Sequence, residues 1–254
     1  MRARIVFFED LRKELDGYRL IFCLFVFQVL QVFVLYKGRG SAPTEVLLEE
    51  AFYLTSVSAG VIFSVFGSVA LMEEEKQGTL PTLFLAPITL RQYLGARLSF
   101  PLFSWLLAWL LVLLNINLMG GSIGTVTISR LAASAGALFL MVAGTMLLTI
   151  LVATILRDTR PAILMAFSLV FLHLVVVRPL FFLLSGESHT LLEVFWFLPF
   201  LHADRVWIWA LQYIQYEEIA ISPGLEILWL GVFCILMLSG IFLVLWRRYH
   251  RSIE

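Results

Sequence analysis

The side chains that could carry acid–base or nucleophilic chemistry are few in this sequence and lie far apart. Its four histidines, His173, His189, His202 and His250, show no metal-ligand spacing. The sequence contains no G-x-x-x-x-G-K-[ST] phosphate loop, no H-E-x-x-H zinc pair and no G-x-S-x-G nucleophile turn. We therefore predict that the chain is not an enzyme and does not hydrolyse ATP through a phosphate loop.

One polar stretch, residues 72–100, is typical of a docking segment. It separates two strongly apolar regions and opens with the acids Glu73–Glu75. Thr79 is a predicted N-cap, because its hydroxyl can accept from the backbone N–H groups of the following turn. Pro81 then falls in the first turn, where a missing N–H costs nothing, and Pro87 should end the helix just before it. The pattern predicts a helix of under two turns.

This short predicted helix carries an apolar face. Leu80, Leu83 and Phe84 stand at positions i, i+3 and i+4, which share one side of a helix. A helix this short does not fold alone, so both of its ends must be fixed by what flanks them. The alternative is an ordinary solvated loop with a chance capping pattern.

The stretch EEEKQGTLPTLFLAPITLRQYLGARL resembles the cytoplasmic loop of type-2 ATP-binding-cassette (ABC) exporter permeases. An acidic residue, Gly-Thr-Leu, a leucine-rich run ending in Pro and a later basic residue carry the resemblance: Glu75, Gly78, Thr79, Leu80, Leu83, Pro87 and Arg97. That family often has Glu where this chain has Pro81. The resemblance implies that a set of loop residues couples the chain to an ATPase, namely Glu75, Gly78, Thr79, Leu80, Leu83, Phe84 and Pro87.

One branch of that family is the haem-exporter B subunit linked to cytochrome c maturation. The acidic triplet, Tyr93–Gly95 and Arg157–Arg160 look like that branch, whereas the aromatic segment after Leu191 looks less like it. Membership of the branch stays open.

Composition indicates a membrane domain. The hydrophobic fraction is 61% and the charged fraction 14%, against about 45–50% and about 25% in an ordinary soluble domain. The net charge is zero, which leaves no basic surface for nucleic acid. Cys23 and Cys234 lie in apolar segments at different predicted depths, so we expect no disulfide between them.

Hydropathy predicts an all-α membrane protein with a single domain over residues 1–254. An amphipathic pattern predicts an interfacial helix over 1–17. The six predicted transmembrane helices cover 18–36, 51–72, 98–119, 131–156, 161–184 and 225–246. Pro101 and Pro161 are placed in the first turns of the third and fifth of these spans.

Two segments between the spans have their own predictions. Residues 73–97 form the cytoplasmic coupling loop with its short helix. Residues 185–224 mix aromatic and charged side chains without a run of spanning length. Because Trp and Tyr prefer the membrane–water boundary, we predict an external re-entrant segment of two short helices dipping into the outer leaflet.

The distribution of Lys and Arg predicts the orientation. With the N-terminus inside, basic residues in the inner segments outnumber those in the outer segments by about three to one. We therefore expect a multi-pass protein of the cytoplasmic (inner) membrane of a prokaryote, with both termini in the cytoplasm. The coupling loop then faces the compartment that contains ATP.

Small and polar residues inside the spans predict helix contacts. Ser56, Gly60, Ser64 and Ser68 are four residues apart and share one face, which allows close approach of another helix. The alternative is a face that abuts a dimer partner or the transport pathway. Gln28 and Gln31 share a face and are expected to bond a neighbouring helix, or else to line a substrate path.

Two ionisable residues lie deep in the fifth predicted span. His173 is near the middle of the membrane and Arg178 is near its outer third. Charged groups at such depth are costly and often functional, but Arg178 can extend its stem outward. His173 can simply bond a neighbouring helix, and nothing in the sequence visibly pairs with it. Both roles, pathway and structure, stay open.

The favoured function is that of a transport subunit. The resemblance implies that six helices form half of an exporter's membrane domain, in a dimer of permease copies with two separate ABC ATPase subunits. ATP binding would close the ATPases, push on Leu80–Leu85 and tilt the helices. We expect no cofactor on this chain, with ATP and Mg on the partner ATPase, and membrane lipid around the spans.

Several alternatives stay open. One is a membrane scaffold whose loop docks a cytosolic partner without transport, and another is an intramembrane enzyme. A homodimer and a heterodimer are both compatible with the sequence. The apolar walls would accept a lipid, drug, peptide or haem-like cargo without choosing among them.

Overall fold

A computed structural model describes residues 19–38, 44–78, 90–118, 128–177, 198–211 and 222–250. Over these ranges the chain is helical almost throughout and forms no strand. The helices are α1 (Arg19–Gly38), α2 (Thr44–Lys76), α3 (Leu90–Leu118), α4 (Ile128–Leu156), α5 (Thr159–Leu172), α6 (Pro199–Leu211) and α7 (Pro223–His250). The five residues His173–Val177 continue α5 as a wider π-helical turn.

Four of these helices contain stretches that are long and apolar enough to cross a membrane. They lie in α2, α4, α5 with its π-helical turn, and α7: Ala51–Lys76, Ala132–Leu156, Thr159–Val176 and Pro223–Arg248. The apolar parts of α1 and α3 are shorter, at Phe22–Tyr36 and Pro101–Asn115. The prediction of an all-α membrane protein is confirmed, and the count of six spans stays a prediction. The predicted interfacial helix over 1–17 lies outside the described residues.

The helices extend further than the apolar spans predict. α2 begins at Thr44 instead of 51 and continues through the acidic run to Lys76, while α3 begins at Leu90 instead of 98. The predicted 73–97 loop is therefore helical at both of its ends, over 73–76 and 90–97, and its residues 79–89 lie outside the described part of the chain. Glu and Lys are strong helix formers, so a helix can continue past its apolar part into water.

Pro101 lies in the interior of α3, and its predicted place in a first turn is wrong. The reason is the same, because the polar residues from Leu90 onward add helical turns ahead of the apolar part. Pro161 does fall in the first turn of α5, as predicted. Asp158 caps that turn by accepting a hydrogen bond from the Arg160 backbone N–H at 3.1 Å.

α2 and α4 form the centre of the bundle. α4 contacts α2, α5, α6 and α7, and α2 also contacts α1, α3 and α5. Small residues allow the close approach. A Cβ on Gly144 of α4 would lie 3.0 Å from Cδ1 of Phe233 in α7, so only glycine fits there without a shift of the ring.

The periphery of the bundle is apolar. The spanning stretch of α4 is 67% buried inside the chain, whereas that of α7 is only 11% buried. Large exposed hydrophobic side chains lie on α1, α3, α5 and α7, among them Phe25, Phe33, Leu110, Leu164, Phe171, Leu228, Ile235 and Leu243. This surface suits the hydrocarbon core of a bilayer.

α6 is the described helix within the predicted 185–224 segment. With 13 residues it is about 20 Å long, which is too short to span, as the sequence predicts of this segment. Its side chains are buried between helices of the same chain, with Phe200, His202 and Val206 fully covered, and its place at the outer leaflet stays a prediction. Its Trp207 packs edge-on against Phe52 of α2, with ring centroids 5.7 Å apart. The second predicted short helix falls outside the described residues.

Candidate functional site

The connection between α2 and α3 leaves α2 through a defined turn. The Gln77 N–H donates to the Glu73 carbonyl at 2.9 Å, and the Gly78 N–H donates to the Glu75 carbonyl at 3.1 Å. Gly78 has φ of +68°, and a Cβ placed there would meet no atom within 4 Å. Glycine is therefore required by the left-handed backbone that ends the helix, and not by lack of space.

The two ends of this connection are joined by a side-chain hydrogen bond. The Tyr93 hydroxyl on α3 donates to the Glu74 carboxylate in the last turn of α2. Tyr93 is buried at 4% exposure, so its ring is anchored in the bundle. The segment between these two points therefore begins and ends at positions that this hydrogen bond holds together.

A second contact joins the base of the loop to two further helices. Nη1 of Arg248 in α7 lies 2.6 Å from Oε1 of Glu75, and Nη2 donates to the Thr154 carbonyl in α4 at 2.6 Å. The side chains of Arg248 and Glu75 are only 14% and 18% exposed. The guanidinium thus bridges the final turns of α2, α4 and α7. We name this end of the bundle the loop end.

This arrangement suits the transmission of movement and contains no catalytic grouping. A displacement of the loop acts on α2 through Glu75, on α3 through Tyr93, and on α4 and α7 through Arg248. Charge-assisted hydrogen bonds are stronger and more directional than neutral ones, so they hold the helix ends in register. Among the described residues, no group of three or more His, Cys, Asp or Glu is placed to hold a metal ion.

At the opposite end of the bundle, α6 is fastened to α7. The Glu226 carboxylate in the first turn of α7 contacts Nδ1 of His202, and its Oε1 accepts from Nη1 of Arg205 at 3.2 Å. His202 also stacks on Trp229, with ring centroids 4.0 Å apart. Glu226 and Arg248 are separated by about 33 Å along α7, so the two clusters lie near opposite ends of one helix.

His173 forms the contact between α5 and α6. Its Nε2 lies 3.0 Å from Oδ2 of Asp204, but the ring is not aligned for a hydrogen bond to that oxygen. The imidazole is fully buried, stacks on Phe200 at 4.9 Å between centroids, and lies 5.8 Å from the Tyr53 ring. α6 packs into the bundle and brings Asp204 to the His173 ring, a neighbour that the sequence does not reveal. Whether His173 has a structural or a pathway role stays open.

A buried amide network joins α1, α2 and α3. Asn115 exchanges hydrogen bonds with Gln28 at 3.0 and 3.3 Å and donates to Gln31 Oε1 at 3.0 Å. Gln31 donates to the Thr55 hydroxyl at 3.2 Å and to the Ala108 carbonyl at 3.0 Å. The prediction that Gln28 and Gln31 bond neighbouring helices is confirmed.

These features accompany a match to a known family. A family model described as "ABC-2 family transporter protein" matches residues 8–220. The chain belongs to the ABC-2 transporter family. It is accordingly a multi-pass membrane protein and a permease subunit of an ABC transporter, in a family that normally works with a separate ATPase subunit. None of the curated proteins is similar enough to count as a relative.

In this ABC-2 permease, most of the predicted ATPase-coupling residues lie outside the described part of the chain. These are Thr79, Leu80, Leu83, Phe84 and Pro87, and the same holds for Arg178 among the intramembrane residues. Glu75 and Gly78 are described, and both lie at the start of the loop. The prediction that the ends of the loop must be held has a counterpart in the contacts of Glu74 and Glu75.

The predicted small-residue face of the permease lies against helices of the same chain. Ser56 accepts a hydrogen bond from Trp105 Nε1 of α3 at 3.1 Å, and a Cβ on Gly60 would lie 3.8 Å from Cβ of Thr145 in α4. Ser64 donates to the Gly60 carbonyl, and Ser68 is fully buried. These four positions therefore form a helix interface within the chain.

The sequence indicated several of the residues that form polar contacts more readily than it indicated their partners. Asp204, Glu226 and Arg248 were visible only as charges interrupting or ending apolar segments. Arg248 meets Glu75 across 173 residues, and no local pattern signals a contact of that separation.

Proposed function

We propose that this chain is the membrane-spanning half of an ABC exporter and that residues 79–89 dock on a separate ATPase. The observation that carries the proposal is the fixed base of this loop, held by Glu74–Tyr93 on one side and Glu75–Arg248 on the other. A segment of 11 residues whose two ends are fastened to four helices is suited to deliver a push to the whole bundle.

In this mechanism ATP and Mg bind to the partner ATPase, and this chain binds no cofactor. Closure of two ATPase subunits pushes on the Leu80–Leu85 segment. The displacement passes to α2 and α3 directly and to α4 and α7 through Arg248, tilting the helices between inward-open and outward-open arrangements. The transport step itself breaks no covalent bond in this chain.

The same proposal covers assembly and location. Two copies of the permease pair within the cytoplasmic membrane of a prokaryote, with the loop and both termini in the cytoplasm. Support for the shared side comes from the Glu75–Arg248 contact, which places the loop base and the final turn of α7 at the same end of the bundle. The cargo is an apolar or amphipathic molecule, and a haem-like compound is one member of that class.

The test is capture of the ATPase by the permease variant Leu83→Asp/Phe84→Asp. Each apolar side chain inserted in a groove contributes about 1.5–3 kcal/mol of burial, less the cost of ordering the loop. Two carboxylates in that groove should reduce co-purification of the ATPase by at least about tenfold at matched expression, and should abolish stimulation of ATP hydrolysis.

The matched control is Gln77→Asp/Thr82→Asp, which introduces the same charge at one position just ahead of residues 79–89 and at one position within them, off the predicted apolar face. It should retain the ATPase. Equal retention by both double variants, with equal transport, would show that Leu80–Leu85 is not the coupling element. Retention of the ATPase without cargo-stimulated ATP hydrolysis in the unsubstituted complex would instead favour a scaffold.

A further inference from the structure

The contact between α5 and α6 contains a buried negative charge that no described cation touches. Asp204 is 6% exposed, and His173 is the described polar side chain that its carboxylate approaches. An unpaired carboxylate inside a low-dielectric interior is costly, and more so in a membrane domain. Within the described residues, His173 is the group placed to balance this charge.

The other charged groups that the structure describes around α6 have partners of their own. Arg205, the next residue, reaches Glu226 at 3.2 Å, so one positive and one negative charge offset each other there. Arg130 of α4 lies over the Trp209 ring, 5.6 Å from its centroid, five residues along α6 from Asp204. On the α2 side the neighbouring titratable group is Tyr53, which is neutral in its ordinary state.

The surroundings of His173 suit a proton. Its ring has no aligned hydrogen bond at either nitrogen within the described structure, so no partner fixes it as a neutral tautomer. It lies face to face with Phe200, and an aromatic face favours a neighbouring cation. One added proton makes the His173–Asp204 pair neutral overall, either as imidazolium and carboxylate or as neutral ring and carboxylic acid.

We propose that His173 and Asp204 form a proton-binding site inside the membrane domain, occupied by one proton when α6 is seated against the π-helical turn of α5. The two groups belong to different elements, so movement of α6 away from α5 separates them and changes the affinity of the site for the proton. By reciprocity, a bound proton stabilises the seated position of α6. The proposal goes beyond the transport role and does not require the ATPase.

The experiment reads both groups directly in the full-length chain. Histidine labelled with ¹⁵N and aspartate labelled with ¹³C are incorporated, and magic-angle-spinning NMR is recorded in lipid bilayers from about pH 5 to pH 8. The ring nitrogens report the protonation of His173, and the carboxyl carbon reports that of Asp204. His173→Gln and Asp204→Asn assign the signals.

At about pH 5 the pair should hold one proton, seen on the ring or on the carboxyl group. In Asp204→Asn the neighbouring carboxylate is gone, so any protonated-ring signal that His173 shows at about pH 5 in the unsubstituted chain should become weaker. An unchanged His202 signal in that variant shows that α6 is still folded, and Asp204→Glu should keep a titrating pair.

Two results would overturn the proposal. One is a neutral ring together with an ionised carboxylate at about pH 5 in the unsubstituted chain, a measurement that needs no variant to fold. The other is an identical His173 titration with and without the Asp204 carboxylate. Neither result bears on ATPase docking, so the proton site and the transport role stand or fail separately.

Discussion

The two ends of the bundle use charged side chains in different ways. At the loop end, Glu75 and Arg248 lie near the surface and connect the final turns of three helices. At the opposite end, His173, His202 and Asp204 are almost fully covered and fasten the short helix α6 inside the bundle.

This difference separates two demands on a transport domain. Contacts at the loop end connect helices next to the residues that we propose dock on a partner. Contacts inside hold an element that is too short to span and would otherwise expose polar groups to lipid. Water partly screens the charges at the loop end, but it does not screen the covered charges around α6. Equivalent substitutions at the two ends should therefore have unequal effects on stability.

The largest effect should come from Glu226→Ala. It leaves Arg205 and the fully buried His202 without the carboxylate that both contact, and losing two hydrogen bonds to a charged group costs about 3 kcal/mol. Thermal unfolding of the purified permease in lipid should show the loss. Glu73→Ala, the same substitution at an exposed position of the loop end, should change stability by less than about 0.5 kcal/mol. Equal losses would show that α6 is not held by Glu226.

An intermediate effect is expected when the charges of the Glu75–Arg248 contact at the loop end are reversed. Glu75→Arg and Arg248→Glu should each cost about 2 kcal/mol, because each places like charges together and removes a charge-assisted hydrogen bond. The double variant should recover about half of the combined loss, since the new pair has the opposite sense but Thr154 loses its donor. A double-mutant cycle on unfolding and on ATPase stimulation measures the recovery. Strictly additive losses would mean that the two residues do not act as a pair.

The smallest effect should be that of Tyr93→Phe. It removes one hydrogen bond to Glu74 at the base of the loop while keeping the buried ring, for a loss of about 1 kcal/mol. The expected signature is weaker ATPase stimulation with a loss of thermal stability of only a few degrees, and Tyr53→Phe at the opposite end serves as the matched control for stimulation. A loss of stability as large as that of Glu226→Ala would remove the distinction between the two ends.

Much of the architecture follows from hydropathy and proline placement. The apolar runs of α2, α4 and α7 predict those helices because a spanning stretch must be continuous. Pro161 marks the start of α5, since proline fits a first turn. The polar extension of α3 ahead of Pro101 could not be predicted from apolar length, because helix propensity continues where hydrophobicity stops.

The polar contacts were predictable only in part. Gln28 and Gln31 predict a contact with another helix, because a side-chain amide in the hydrocarbon core requires a hydrogen-bond partner. The identity of that partner, Asn115, depends on how α1 and α3 cross. The burial of α6 could not be predicted from the sequence, because Trp207 and Trp209 are equally suited to a membrane boundary and to a helix packing surface. The His173–Asp204 contact could not be foreseen without it.

The bond between Glu75 and Arg248 also has a consequence for biosynthesis. The ribosome makes Glu75 173 residues before Arg248, which is about 10 to 35 s at ordinary rates of synthesis. Until Arg248 is made, the Glu75 carboxylate lacks this guanidinium, and the Thr154 carbonyl of α4 lacks its side-chain donor. Both contacts require α7, the last described helix, so they belong to the final stage in which the described bundle assembles.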